Sequence, residues 1–288
     1  MKILFLLILA SLYSSFSFGQ NKSELDSLTS LLENIYKLDQ EPRLQLDTIE
    51  QKFGFDSQEA KKKWELIKSY DSANIIQVDK ILKIYGWLSE IKTSKNANTA
   101  LFLVIQHSSL HLQANYLNIL KEAVEKGNAE PWNYAYLLDR VNMGQGKLQV
   151  FGSQFFVSTN GKSYLYPIEN EPFVNVRRKQ IKLEPLEKVA RKSGVIYKLP
   201  SKDLLKNKIV IIGFVMERDQ KPIQDVKVIL GTKVVAKTNK DGFYKAVITK
   251  SLFKSRLSFS KDKYLVSDPG LQDENKTVYE LHIMLTRK

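Results

Sequence analysis

The 288-residue chain contains no cysteine. That excludes disulfides, thiolate metal sites, a thiol nucleophile and lipid attachment to an N-terminal cysteine, so stability has to come from packed cores. Beyond the N-terminus no apolar run approaches the roughly 20 residues that a membrane-spanning helix needs. Long internal repeats are absent. Acidic residues are in deficit, with 31 Asp and Glu against 44 Lys and Arg, a formal net charge of +13. Residues 200–288 hold 18 of the basic residues against 10 acidic ones. A basic surface of this kind suits anionic partners, here an anionic envelope component or a polysaccharide met through the C-terminal part. No basic stripe interleaved with aromatics occurs, and nucleic acid is not expected as a partner.

What is present begins with one charge, Lys2, followed by the apolar run Ile3 to Ala10 and a hydroxyl-rich stretch ending Ser17-Phe18-Gly19. Small residues at Ser17 and Gly19 fit a signal-peptidase cut after Gly19, so residues 1–19 read as a cleaved leader and the mature protein as secreted or periplasmic. A membrane anchor is the competing reading, but the apolar run is short for it.

Helical spacing then dominates. Leu25, Leu28, Leu32 and Ile35 predict a helix over about 23–38, with Pro42 ending it or starting the next. Residues 57–69 and about 72–85 read as two further helices, and 93–98 as a polar loop. The strongest pattern, Leu101, Val104, Ile105, Leu112, Tyr116, Ile119 and Ala123, predicts one helix over about 99–125. Another starts at Pro131 and ends near Asn142. The period changes after that. Residues 148–158 and 163–168 are aromatic and β-branched and are joined through Asn160-Gly161, which predicts a hairpin. A short helix over about 185–192 follows. Residues 200–207 read as a basic linker, and strands are expected over 209–216, 226–230, 233–238, 243–249, 256–260 and 278–285. The expected fold class is α+β and multidomain: a mostly helical domain with a late β-hairpin over 20–199, then a small antiparallel β-sandwich over 208–288.

Two resemblances add to this. Gly213-Phe214-Val215, Pro222 to Val228 and Thr238 to Tyr244 resemble the carboxypeptidase regulatory-like domains, which implies a transthyretin-type β-sandwich used as a spacer or binding accessory. Asp39-Gln40 with Arg43, Asp71 with Asn74, Gly86-Trp87, Gln106-His107, Asp139-Arg140, Gln149, Phe151 to Gln154 and Arg177-Arg178 are similar to domain of unknown function 6624. This chain has Leu88 where that family's pattern has Pro, and Ser109 where an acidic residue is common. The resemblance implies no activity.

Several of these residues could carry chemistry. His107 and His111 stand one helical turn apart on the 99–125 pattern, a spacing that can chelate a metal, but Ser108 occupies the place of the Glu in zinc-protease helices. No metal or other cofactor is expected. The catalytic candidates are His107, as acid or base, and Asp139, orienting it. The ligand-binding candidates are Asp39, Gln40, Arg43, Arg140, Gln149, Gln154, Arg177 and Arg178, with the arginines clamping an anionic group. Ser108 and Ser109 are poor nucleophiles, because adjacent helical residues point away from His107. Gln149 and Gln154 would face opposite sides of a regular strand, unless Gly152 hosts a bulge. The alternative to a site is a buried ion-pair network of purely structural value. Two functions stay open: an exported, envelope-associated or extracellular binding protein, and a metal-independent hydrolase using a His/Asp/Arg site on an anionic small molecule or envelope substrate.

Overall fold

The computed structural model describes side chains for residues 22–55, 57–89, 94–271 and 275–288; the leader expected over residues 1–19 lies outside them. Helices make up the N-terminal region and strands in several sheets follow, an α+β arrangement. The chain forms two compact units, Met1–Asn133 and Tyr134–Lys288. Among the described residues, no helix is long and apolar enough to cross a membrane.

The first unit contains α1 (Lys2–Phe53), α2 (Gln58–Tyr85), α3 (Lys95–His107), α4 (Leu110–Glu125) and the first turn of α5 (Pro131–Gly144). Pro42 does not end α1, which runs through it. The missing N–H and the ring clash cost about 3 kcal/mol inside a helix. Burial of Leu32 and Ile35 before the proline and Leu46 after it offsets that, at roughly 1.5–3 kcal/mol for each such side chain. The two helices expected over 57–85 are one. No Gly or Pro interrupts Gln58 to Tyr85, and the Ser72 hydroxyl donates back to the Lys68 carbonyl at 2.8 Å instead of capping a new helix.

The helix expected over 99–125 is two. α3 begins earlier, capped by Ser94, and stops at His107; the Ser109 side chain caps α4 by accepting from the Leu112 amide. The Ser108 hydroxyl donates to the Ile105 carbonyl at 2.7 Å. Gln113 Nε2 donates to the carbonyls of Gln106 and Ser108, both at 2.9 Å. Orphan carbonyls at the end of α3 thus acquire donors, and two adjacent serines turn the corner. His107 closes α3 while His111 lies in the first turn of α4, so the chelating spacing expected of one continuous helix does not exist.

In the second unit, β1 (Phe155–Val157) and β2 (Ser163–Leu165) form the expected hairpin, shorter than its sequence pattern. α6 (Val174–Gln180), which the pattern did not suggest, and α7 (Leu186–Lys192) follow. The strands are β3 (Lys208–Met216), β4 (Lys227–Leu230), β5 (Lys233–Lys237), β6 (Phe243–Thr249), β7 (Leu257–Ser260), β8 (Val278–Glu280) and β9 (Ile283–Met284). One sheet runs β6-β3-β8 with β9 also on β3; another runs β5-β4-β7. The wholly antiparallel arrangement expected is not found, because β8 and β9 pair with β3 in parallel. β8 and β9 follow β3 in one register, with Val210 opposite Val278 and Val215 opposite Ile283. The ladder is interrupted at Gly213, where a Cβ would lie 1.9 Å from the Leu281 carbonyl oxygen.

β3 is apolar on both faces. Ile209, Ile211 and Val215 join a core with Val228, Leu230, Tyr244, Ile248 and Phe259. Val210, Ile212 and Phe214 join another with Phe156, Tyr166 and Leu205. The uninterrupted apolar run Ile209 to Ile212 reflects this double burial. The hairpin and the strands behind it therefore share one core inside the second unit.

Candidate functional site

The polar residues singled out in the sequence resolve into two groups, one in each unit. In the first unit Asp39 is fully buried on α1, in the turn before Pro42. Its Oδ1 lies 2.8 Å from His107 Nδ1, at the end of α3. Gln40 Nε2 donates to Asp39 Oδ2 at 2.6 Å. Arg43 Nη1 donates to the Asp39 carbonyl at 3.1 Å, and its Nη2 donates to both carboxylate oxygens of Asp71 on α2 at 2.9 Å. Burial alone would raise the Asp39 pKa, but the His107 hydrogen bond and charge, then Gln40 and Arg43, bring it below its ordinary value. Asp39 is therefore a carboxylate and can only accept, so the hydrogen of this contact is on His107 Nδ1, and whenever the ring carries a single hydrogen the lone pair is on Nε2. Gln106 Nε2 lies 3.5 Å from that Nε2. The side chains of His107, Arg43 and Asp71 are 17%, 21% and 24% exposed, so solvent reaches this group while its anchoring carboxylate stays dry.

The second group is sealed. Asp139 on α5 is fully buried. Its carboxylate accepts from the amides of Val150, Phe151 and Ser153 at 2.6–3.1 Å. Burial pushes the Asp139 pKa up against the pull of those amides. Arg177 donates from Nε to the Val150 carbonyl at 2.9 Å and from its other nitrogens to the carbonyls of Glu169 and Asn170. Arg178, 1% exposed, donates to the carbonyls of Phe151 and Glu184, both at 2.6 Å. The loop 150–153 is thus gripped by its N–H groups from one side and its carbonyls from the other. Gln149 Oε1 accepts from the Gln154 amide at 2.9 Å, while its Nε2 donates to the carbonyls of Gln154 and Tyr166. No strand bulge is involved, since residues 149–154 form a loop turned by Gly152 at φ +71°, where a Cβ would come within 2.9 Å of Leu186.

Each expected residue can now be placed. The carboxylate orienting His107 is Asp39, not Asp139, whose oxygens are taken up by backbone amides. Arg177 and Arg178 spend their donors on carbonyls and do not form the expected anion clamp. Arg140, beside Asp139 on α5, is half-buried. His111 is exposed, with Nε2 3.0 Å from Asn115 Nδ2. Asp39, Gln40, Arg43 and His107 do come together. Asp71 and Gln106 complete their group and were legible only as carriers of the family resemblance. Gln113 positions the corner after His107; its signal is a polar residue in register with buried Tyr116, Leu120 and Ala123 on α4.

Asp39, Asp71 and His107 each offer a ligand atom within 4.8 Å of the others and so could hold a cation. The Arg43 guanidinium already bonds Asp71 and lies 3.7 Å from Asp39 Oδ1, supplying the charge that an ion would bring.

The sequence profile described as Family of unknown function (DUF6624) matches residues 29–202. No curated protein matches the chain.

Proposed function

This chain belongs to that family of unknown function, and with no activity to carry over from it we propose that the helical unit holds a metal-independent acid–base site centred on His107. The observation that carries this reading is the 2.8 Å contact from buried Asp39 to His107 Nδ1 in a group that solvent reaches. Asp39 fixes the tautomer and ring orientation, and Nε2, with Gln106 Nε2 3.5 Å away, is the atom that takes a proton from water as it adds to the carbonyl carbon and returns it to the alcohol or amine that leaves. Water is the nucleophile in this reading, because the hydroxyls of Ser108 and Ser109 are occupied in turning the corner between α3 and α4. Gln40, Gln106 and Arg43 supply donors near the ring. Two carboxylates against one guanidinium suit a neutral carbonyl compound, an ester or amide, better than the anionic substrate the sequence suggested.

We further propose that the chain is exported through a cleaved leader over residues 1–19, and that its strand region is a carboxypeptidase regulatory-like sandwich serving as an accessory module. The shared core of the two sheets supports the latter.

The test is turnover by the mature protein across esters, amides and phosphoesters. His107→Asn keeps an amide N–H near Asp39 and removes the proton acceptor. Loss of roughly 100-fold in kcat/KM with an unchanged melting temperature, and no effect of chelators, is expected. Absence of wild-type turnover, or turnover indifferent to His107→Asn, contradicts the reading. Activity abolished by chelator and restored by a divalent ion would instead make Asp39, Asp71 and His107 a metal centre.

A further inference from the structure

The second unit carries a cleft of about 580 Å³ that no part of the proposed acid–base site uses. Its lining joins Lys202 and Lys206, from the segment before β3, to Lys208 at the start of β3 and Lys250 just past the end of β6. The pairing of Lys208 with Thr249 holds two of these charges at one end of the ladder. The other two flank Leu205, which is 4% exposed and anchored in the core beneath β3. The Leu205 amide donates to Asp203 Oδ1 at 3.0 Å, and the Lys208 amide to the Leu205 carbonyl at 3.0 Å, so the segment is fixed by bonds within itself. Glu169 and Asp203 also line the cleft, and the four lysines leave a positive excess.

One wall is apolar. Phe173, 56% exposed, lies there beside Pro172. A solvent-facing aromatic ring amid cations is poorly suited to a small inorganic anion, which has no face to stack. It suits a ring that presents an apolar C–H face and carries negative groups. A second depression of about 270 Å³ shares Lys250 and adds Lys254, Ser251 and Phe253. Positive and aromatic groups therefore continue past the first cleft, as a polymer with a repeating unit would require.

We propose that this surface binds an acidic saccharide chain, with Phe173 stacking on a sugar ring and Lys202, Lys206, Lys208 and Lys250 meeting carboxylates on that ring and its neighbours. Lysine, a compact point charge on a flexible stem, tolerates the varied spacing of such groups. The proposal does not rest on His107 and stands if that site proves inert.

Calorimetric titration of the mature protein tests it, using a uronic-acid pentasaccharide, a neutral pentasaccharide and inorganic polyphosphate. Three variants serve: Lys202→Glu with Lys206→Glu, Phe173→Ala, and, as a charge control, Lys233→Glu with Lys237→Glu on β5. All substituted positions are exposed, and half-buried Lys208 is left intact. The uronate is expected to bind and the neutral sugar not to. The cleft double variant should weaken uronate binding at least tenfold, Phe173→Ala several-fold, and the β5 variant should lose little. Polyphosphate binding indifferent to Phe173→Ala is also expected. Failure of the uronate to bind the wild type, or equal losses in the cleft and β5 variants, would overturn the proposal. So would tighter binding of polyphosphate than uronate together with no effect of Phe173→Ala, which would indicate a phosphate-polymer surface.

Discussion

At the residue scale, the two aspartates show how one side chain type takes opposite roles. Asp39 is held charged by a histidine, an amide and a guanidinium near solvent; Asp139 is spent on backbone amides in a sealed loop. The pH behaviour of Asp39 follows from its lowered pKa. Its contribution to stability is present above its ordinary value of 3.8 and is lost as the pH falls through the lower native value. Urea unfolding between pH 2 and 6 should accordingly show a shallower acid limb in Asp39→Asn than in the wild type; identical limbs would mean that Asp39 is not held charged by its neighbours. For the sealed loop, Arg178→Lys should cost about 2–4 kcal/mol in thermal unfolding, since one ammonium cannot replace a fork that reaches the Phe151 and Glu184 carbonyls together. These roles were only half legible. The sequence shows that Asp, Arg, Gln and His recur at distant positions, but whether a carboxylate meets a side chain or a run of amides depends on loop geometry that periodicity does not encode.

At the scale of elements, breaks were harder to read than periods. The apolar stripe from Leu101 to Ala123 continues in phase across Ser108-Ser109, so the corner is invisible to a hydrophobic pattern and is announced only by two cap-forming residues. Conversely Pro42 is a strong stop signal that tertiary burial overrides, and α6, as short as α7, lacks the following glycine that marks the end of α7 at Gly194. The strands from β3 to β7 were legible almost to the residue, because β-branched runs and turn residues alternate clearly there, whereas 148–158 yields only β1 and 278–285 divides into β8 and β9. Their pairing direction was not legible, since the alternation of side chains along a strand is the same whichever way its neighbour runs. Gly213→Ala should disrupt the close approach of Leu281 to β3, where the Leu281 amide donates to the Ile212 carbonyl at 2.9 Å. Loss of several kcal/mol, or failure to accumulate as folded protein, is expected, with hydrogen exchange at Leu281 reporting the site; wild-type protection there would contradict the close approach of Leu281 to Gly213.

At the scale of the whole molecule, composition foretold an α-helical region before a β-rich one, but not where the compact units divide. The basic segment 200–207 has the composition of a linker, yet Leu205 within it is buried, and the faces of β3 join the strands to the hairpin as well as to one another. A fragment covering 208–288 would expose Val210, Ile212 and Phe214, whereas 134–288 retains their partners. Only the longer fragment is expected to unfold cooperatively by circular dichroism without binding a hydrophobic dye. Cooperative, dye-free unfolding of 208–288 would show that the strand region stands alone. The family match over residues 29–202 likewise crosses from the first unit into the second.

The partition of the polar residues into a solvent-reached set around His107 and a sealed set around Asp139 is best tested by thermal unfolding of His107→Asn and Asp139→Asn side by side. His107→Asn should melt within about 0.5 kcal/mol of the wild type, because the donor to Asp39 is retained. Asp139→Asn should lose about 2–4 kcal/mol, because a carboxamide oxygen cannot serve three amides while its own N–H groups are buried without acceptors. Equal, large losses in both would contradict the partition and make the His107 group part of the architecture.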